Sequence, residues 1–170
     1  MSDQSKAGIL EPLRVALRLE EEGRRFFLEA AAQVTNLHAR QTLEFLAGEE
    51  AKHIERIREF HRSVESGLTA PPIVSAESVE NRIRAFNEKL ASLRNEMKPL
   101  ASDVEAYAMA VKFENGAADF YQQQIDNSSD PEVRAFYKWL VEEESLHFEV
   151  LNSCLLFIDD PARWFRERKS

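Results

Sequence analysis

Ala16-Leu-Arg-Leu-Glu20-Glu-Glu-Gly-Arg-Arg-Phe26-Phe27 recurs 94 residues later as Ala110-Val-Lys-Phe-Glu114-Asn-Gly-Ala-Ala-Asp-Phe120-Tyr121. The same offset carries Leu46-Ala-Gly-Glu-Glu50-Ala-Lys-His53 onto Leu140-Val-Glu-Glu-Glu144-Ser-Leu-His147. In each half the first Glu precedes the Glu of the Glu-x-x-His element by 30 residues. One offset shared by two separated motifs implies an internal duplication: two helix hairpins related by a pseudo-two-fold axis.

The spacing around these glutamates sets their place in the fold. Positions −7, −4, −3, +4 and +7 share one helix face. Around Glu50 they hold Leu43, Leu46, Ala47, Ile54 and Ile57; around Glu144, Tyr137, Leu140, Val141, Phe148 and Leu151. Around Glu114 they hold Tyr107, Ala110, Val111, Ala118 and Tyr121. Glu20 has Leu13, Ala16, Leu17 and Phe27, with Arg24 as the polar exception. All four carboxylates therefore interrupt apolar stripes that must face a core. His53 and His147, at i+3 from Glu50 and Glu144, fall on the same faces.

Outward from these motifs the chain reads as helices throughout, with little strand-like alternation. The pattern predicts bundle helices over about 10–34, 37–66, 102–126 and 131–158, with Pro12 early in the first turn of the first. Gly67 stops the second helix. Ser102-Asp-Val-Glu105 reads as a capping box, and Asp130 and Pro131 as an N-cap and first helical residue. A crossover over 67–101 holds a charged helix at about 76–98, ended by Pro99, whose narrow apolar stripe is Val79, Ile83, Phe86, Leu90 and Leu93. A tail follows over 159–170. The expectation is an all-α four-helix bundle in a single domain over 1–170, two helix hairpins joined by one long crossover.

The composition narrows the function classes. The 170 residues carry 22 Lys and Arg against 30 Asp and Glu, a net charge of −8 that disfavours a general nucleic-acid partner. The single cysteine, Cys154, permits no internal disulfide and no Cys-rich metal site. No apolar run is long enough for a membrane span and the N-terminus lacks a signal core, so a cytoplasmic location is expected.

Buried carboxylates without partners cost several kcal/mol each even after relaxation, to order of magnitude. Few cations lie on these faces, and bound metal resolves the conflict. Four carboxylates and two imidazoles suit two divalent first-row ions, iron or manganese rather than thiolate-seeking metals. The ligand set is Glu20, Glu50, His53, Glu114, Glu144 and His147, the arrangement of ferritin-like di-iron proteins, in which two helices give a Glu and two give Glu-x-x-His.

At these residues the chain resembles the rubrerythrin branch of the ferritin-like superfamily. The similar stretches are Glu20-x-x-Gly-x-x-Phe-Phe, Leu46-Ala-x-x-Glu50-x-x-His53, Glu114-x-x-Ala-x-x-Phe-Tyr and Leu140-x-x-x-Glu144-x-x-His147. The resemblance covers the bundle helices and leaves out 67–101 and the residues after Ile158. It implies that the matching residues bind two iron ions per chain (Fe2+/Fe3+) and reduce hydrogen peroxide, acting catalytically through the metals. Two departures stand out. One cysteine leaves no paired Cys-x-x-Cys rubredoxin domain, so reducing electrons must come from a separate donor such as a rubredoxin-like protein. The family also has a second Glu one turn after the third-helix ligand, where this chain has Ala117; the six remaining ligands also resemble a bacterioferritin-type ferroxidase centre.

Three functional readings follow: a di-iron peroxidase; a ferroxidase or iron-handling protein that oxidises Fe(II) with dioxygen or peroxide; and a non-catalytic helical interaction protein. Tyr107 and Tyr121, two turns either side of Glu114, are candidates to donate hydrogen bonds or electrons, with core packing as the plainer role. Glu21, Glu22, Glu49, Glu142 and Glu143 are alternatives in register; Glu21 shares a face with Arg14, Arg18 and Arg25, which points to surface pairing. His38 and His61 lack the repeat context and read as surface residues, and Cys154 as a buried helix residue. The tail at Trp164 is expected to dock on the bundle or on a neighbouring subunit, and the crossover stripe suits a homodimer.

Overall fold

The computed structural model describes residues 3–68, Asn81, Arg84 and Glu88 of the crossover, and 101–167. Its elements are α1 (Asp3–Gln33), α2 (Leu37–Ser66), α3 (Ala101–Asn127), α4 (Pro131–Asp159) and the short α5 (Pro161–Glu167), with no strand among the described residues. The architecture is an all-α, ferritin-like helical bundle.

The duplication is legible in the helix ends. Gln33 and Asn127 close α1 and α3; Asn36 and Asp130 cap α2 and α4; Leu37 and Pro131 open them. Each pair is 94 residues apart. The caps use the same device, a side-chain oxygen accepting two free amides: Asn36 from His38 and Ala39, at 2.9 and 3.1 Å, and Asp130 from Glu132 and Val133, at 2.8 and 3.2 Å. The three-residue loops force each pair of helices to run antiparallel.

At the far end of α2, Gly67 takes φ 65° and ψ 24°, the left-handed conformation that a side chain would disfavour. Its amide bonds to Val64 O and that of Leu68 to Ser63 O, closing a Schellman motif. Asn81, Arg84 and Glu88 are helical, and Arg84 donates to Asn81 Oδ1 at 2.8 Å. The remainder of the expected 76–98 helix, with its apolar stripe, lies outside the described residues.

Several expectations need correction. α1 begins at Asp3 rather than near Leu10, so Pro12 lies inside the helix. It has no amide for the carbonyl of Gly8, where a Cβ would meet nothing within 4 Å, so the turn has room to adjust. α3 already includes Ala101, which places Ser102 inside the first turn rather than at the cap. Phe148 is 36% exposed, because +4 from Glu144 falls at the edge of its stripe.

Two apolar clusters fill the bundle. One contains Leu13, Ala16, Ile57, Phe60, Tyr121, Tyr137 and Leu140. The other contains Tyr107, Ala110, Leu151, Cys154, Phe27, Leu43 and Leu46. Adding 94 to Leu13, Ala16, Ile57 and Phe60 gives Tyr107, Ala110, Leu151 and Cys154; subtracting it from Tyr121, Tyr137 and Leu140 gives Phe27, Leu43 and Leu46. The pseudo-two-fold thus exchanges the two clusters, as it exchanges Glu20 with Glu114 and Glu50 with Glu144. α5 extends the second cluster: Trp164 is buried, meets Phe157 edge-on at 5.1 Å and donates its indole N–H to Ser153 Oγ at 2.9 Å. The tail docks on its own bundle as far as α5.

Candidate metal centre

Glu20 on α1, Glu50 and His53 on α2, Glu114 on α3, and Glu144 and His147 on α4 converge at mid-bundle. None of the six exposes more than 2% of its surface. Within each hairpin the histidine faces the first glutamate: His53 Nδ1 lies 3.0 Å from Glu20 Oε2, and His147 Nδ1 3.2 Å from Glu114 Oε1. Both pairs span 33 residues, so the two half-sites follow the repeat.

Glu50 and Glu144 connect the halves. Glu50 turns Oε2 toward His53, at 3.6 Å, and Oε1 toward His147, at 3.2 Å. Glu144 turns Oε1 toward His53, at 3.6 Å, and Oε2 toward His147, at 3.3 Å. Each carboxylate thus presents one oxygen to each half. The imidazoles stack at 5.1 Å with 16° between their planes. Two four-residue groups have ligand atoms all within 4.8 Å of one another: Glu20, Glu50, His53 and Glu144, and Glu50, Glu114, Glu144 and His147. They share Glu50 and Glu144.

The electrostatics show what the cluster lacks. Burial, then the neighbouring charge of Glu50, pushes Glu20 up to about 7. Burial likewise pushes Glu114 well up, helped by Glu144 and opposed by His147. Burial also disfavours the Glu50 anion, but hydrogen bonds with Glu20, His147 and His53 outweigh it and hold the carboxyl down at about 2. Burial alone would lower both histidines; Glu20, Glu143 and Glu50 around His53, and Glu114 and Glu144 around His147, raise them instead. Protons therefore occupy the centre where metal would otherwise compensate the charge. Both oxygens of Glu144 and Oε2 of Glu114 are buried and make no hydrogen bond. Oxygen donors left over in a dry site, beside two imidazoles with inward Nδ1 atoms, fit a di-iron site.

Of the two candidate tyrosines, Tyr121 reaches the centre and donates its hydroxyl to Glu20 Oε1. Tyr107 does not: its polar neighbours are Cys154, Thr42 and Asp103, in the cluster below. His38, expected at the surface, is buried beside them, its Nδ1 3.0 Å from Thr42 Oγ1. His61 is half-buried and pairs with Glu65 at 3.5 Å. Cys154 is buried as expected, and Glu21 pairs at the surface, with Arg58 of α2 at 2.8 Å rather than with the arginines of its own helix.

Glu143, an alternative in register by sequence, belongs to the centre's surroundings. It is buried, and its Oε2 lies 3.7 Å from His53 Nε2, on the side of the ring away from the other ligands. Its repeat counterpart, Glu49, is buried too and pairs with Lys52 at 2.5 Å. Both carry the 94-residue offset, but so do the exposed pairs Glu11 and Glu105, and Glu55 and Glu149, so the repeat alone does not single them out.

A bundle of paired helices with a mirrored Glu/Glu-x-x-His set at its centre defines the ferritin-like class. Within it, the rubrerythrin family model matches residues 11–155, and the chain belongs to the rubrerythrin family, di-iron proteins of the ferritin-like superfamily for which oxidoreductase chemistry is the general expectation. No curated protein and no solved structure matches the chain. Among the described residues no helix is long and apolar enough to cross a membrane.

Proposed function

We propose that the chain is a non-haem di-iron oxidoreductase that reduces hydrogen peroxide with electrons from a separate donor protein, with Glu20, Glu50, His53, Glu114, Glu144 and His147 as its metal ligands. The observation that carries this reading is the pair of dry half-sites sharing Glu50 and Glu144, in a chain of this family. Two ferrous ions bound there would supply the two electrons that cleave the O–O bond of peroxide, the net reaction consuming two protons and giving two waters.

The protein's own part is to hold and isolate. Glu20 with His53, and Glu114 with His147, would each hold one ion, with Glu50 and Glu144 available to both. The flanking apolar clusters exclude bulk water, so charge at the centre is felt at low dielectric. Tyr121 keeps its proton at Oη beside Glu20, since burial and the charges of Glu20, Glu144 and Glu50 push its ionisation well above the usual phenol range. It is a proton-holding donor rather than a phenolate.

The second reading, ferroxidase, is favoured by Ala117, buried where the family has a further carboxylate. Iron would then be the substrate and would leave after oxidation. The two readings separate in stopped flow. Reduced, metal-loaded protein is expected to be oxidised faster by peroxide than by dioxygen; much faster oxidation by dioxygen overturns the peroxidase reading. Oxidation of no more than about two irons per chain without added reductant overturns the ferroxidase reading. A cytoplasmic location is part of the same proposal, as a compartment in which the donor stays reduced. A homodimer is part of the same proposal, from the crossover stripe, and sedimentation at micromolar concentration tests it.

A further inference from the structure

The ligands of the two half-sites obey the repeat, but their surroundings do so only in part: Glu143 corresponds to Glu49, which pairs with Lys52, and Tyr121 corresponds to Phe27. Beside Glu20, the Tyr121 hydroxyl donates to Oε1, leaving Oε2 toward His53. The repeat places Phe27 beside Glu114, fully buried and without a hydroxyl, and Glu114 Oε2 has no hydrogen-bond partner. Behind His53, Nε2 faces the buried Glu143 at 3.7 Å. Nε2 of both histidines is buried and makes no hydrogen bond, so the contrast lies in the nearby Glu143 carboxylate. Trp139 also walls the His53 ring edge-on at 5.6 Å; its repeat counterpart is Phe45.

A histidine that gives Nδ1 to a metal carries its proton on Nε2. An acceptor for that proton fixes the tautomer and ring orientation and makes Nδ1 the better ligand. His53 has a carboxylate a few tenths of an ångström beyond hydrogen-bond length of Nε2, whereas the carboxylates paired with His147 at 3.2–3.3 Å all face its Nδ1. The terminal carboxylates differ in the same direction. Glu20 has one oxygen committed to a hydroxyl donor, whereas no hydroxyl donates to Glu114 Oε2. Both differences favour the same half.

Resting on the metal-binding reading above, we infer that the centre is two unequal metal sites: a tight one at Glu20 and His53, and a weaker, exchangeable one at Glu114 and His147. Tyr121 and Glu143 are the positioning residues that set the difference. The first ion enters beside His53, and the second loads after it and leaves before it. Loss of an outer partner of a metal ligand typically weakens affinity about 10–100-fold, so a gap of at least tenfold between the two steps is expected.

The test is an anaerobic titration of the metal-free, full-length protein with Co(II), followed by visible absorption and by the paramagnetically shifted ring-proton signals of His53 and His147. Two steps are expected, the His53 signals shifting first. Tyr121→Phe, which removes one oxygen atom, and Glu143→Gln should each weaken the first step about tenfold or more and leave the second unchanged. Phe27→Tyr should tighten the second step by giving Glu114 the missing donor. One step with two equal sites, His147 shifting first, or both steps weakened alike in Tyr121→Phe overturns the inference. Absence of any Co(II) uptake by folded protein overturns the metal reading itself, a different outcome from two equal steps.

Discussion

The α1–α2 and α3–α4 hairpins agree at the inner helix ends that flank their loops and at the six Glu and His positions, and differ in several of the side chains around them. Their caps, loop lengths and Glu/Glu-x-x-His sets share one offset. Phe27 against Tyr121, Gly23 against Ala117 and Leu43 against Tyr137 do not match in chemistry. Two ions need the first kind of agreement, since ligand number and spacing decide whether they bind at all. The second kind adjusts how tightly each ion binds and what it touches, and the halves are free to diverge there.

The bluntest way to break the comparison is to remove what the halves share. Glu50→Ala/Glu144→Ala takes one oxygen from each half twice over, and metal analysis of the purified variant should fall from about two ions per chain to none. Binding at a thousandfold excess over Kd adds about 4 kcal/mol per site, on the order of 10 °C in Tm for a chain of this size. That metal-dependent rise should be present in the wild type and absent in the variant. Glu20→Ala, which touches one half, should leave about one ion. Full retention of metal in the double variant would mean the ligand register is wrong.

The periodicity made the shared features legible. A carboxylate in the middle of an apolar stripe is visible in one sequence, because a helix has only one way to bury Leu43, Leu46, Ile54 and Ile57 together, and Glu50 goes with them. Cap chemistry is equally local, as Asn36 and Asp130 show. What lies one helix away is not. Nothing in the local pattern says that His38 turns inward to Thr42, that Glu143 stands behind His53, or that Tyr121 rather than Tyr107 reaches a ligand. Those depend on how four helices rotate against one another, which helical spacing leaves free. Pro12 misled for a related reason: proline favours a first turn, but an open surface at Gly8 tolerates it deeper in the helix.

A milder perturbation is pH, which separates metal-free from loaded protein. In the metal-free centre Glu20 is raised to about 7, so the folded state holds that proton more tightly than the unfolded state does. Its contribution to stability is complete below the unfolded value of 4.5 and is lost as pH rises toward 7. His53 and His147, also raised, act in the same direction: complete below 6.5 and lost as pH passes their folded values. Glu50, held at about 2, acts oppositely; its contribution is present above 4.5 and lost on acidification toward 2. Between about pH 5 and 8 the first group decides, and the Tm of metal-free protein should fall by several degrees. Metal must displace those same protons, so its affinity rises with pH, and the stabilisation it adds should grow over the interval. Thermal melts of both forms against pH check this; parallel curves would show that the protons are not held by the ligands.

The smallest effect concerns the helix surfaces that flank the centre. A Cβ on Gly23 would lie 2.6 Å from Phe113 Cε1. That ring stacks on Phe26 at 6.2 Å and meets Phe27 edge-on at 6.5 Å, so it cannot shift alone. Gly23→Ala gains about 1 kcal/mol of helix propensity but incurs an overpacking cost of about 1–3 kcal/mol. The expected net is a loss of about 1 kcal/mol, or 2–4 °C in Tm. The repeat counterpart of Gly23 is Ala117, where the second hairpin already carries a Cβ; its counterpart to Phe113 is Leu19, a smaller side chain. Gly116 sits in α3 with nothing within 4 Å of its added Cβ. Gly116→Ala should therefore recover the whole propensity term and raise Tm by about the amount that Gly23→Ala lowers it. Opposite signs from one substitution on α1 and α3 would locate a packing asymmetry between the hairpins at Phe113. Equal gains at both positions would show that the aromatic group yields freely, and the divergence of the two halves would then be confined to the neighbours of the ligands.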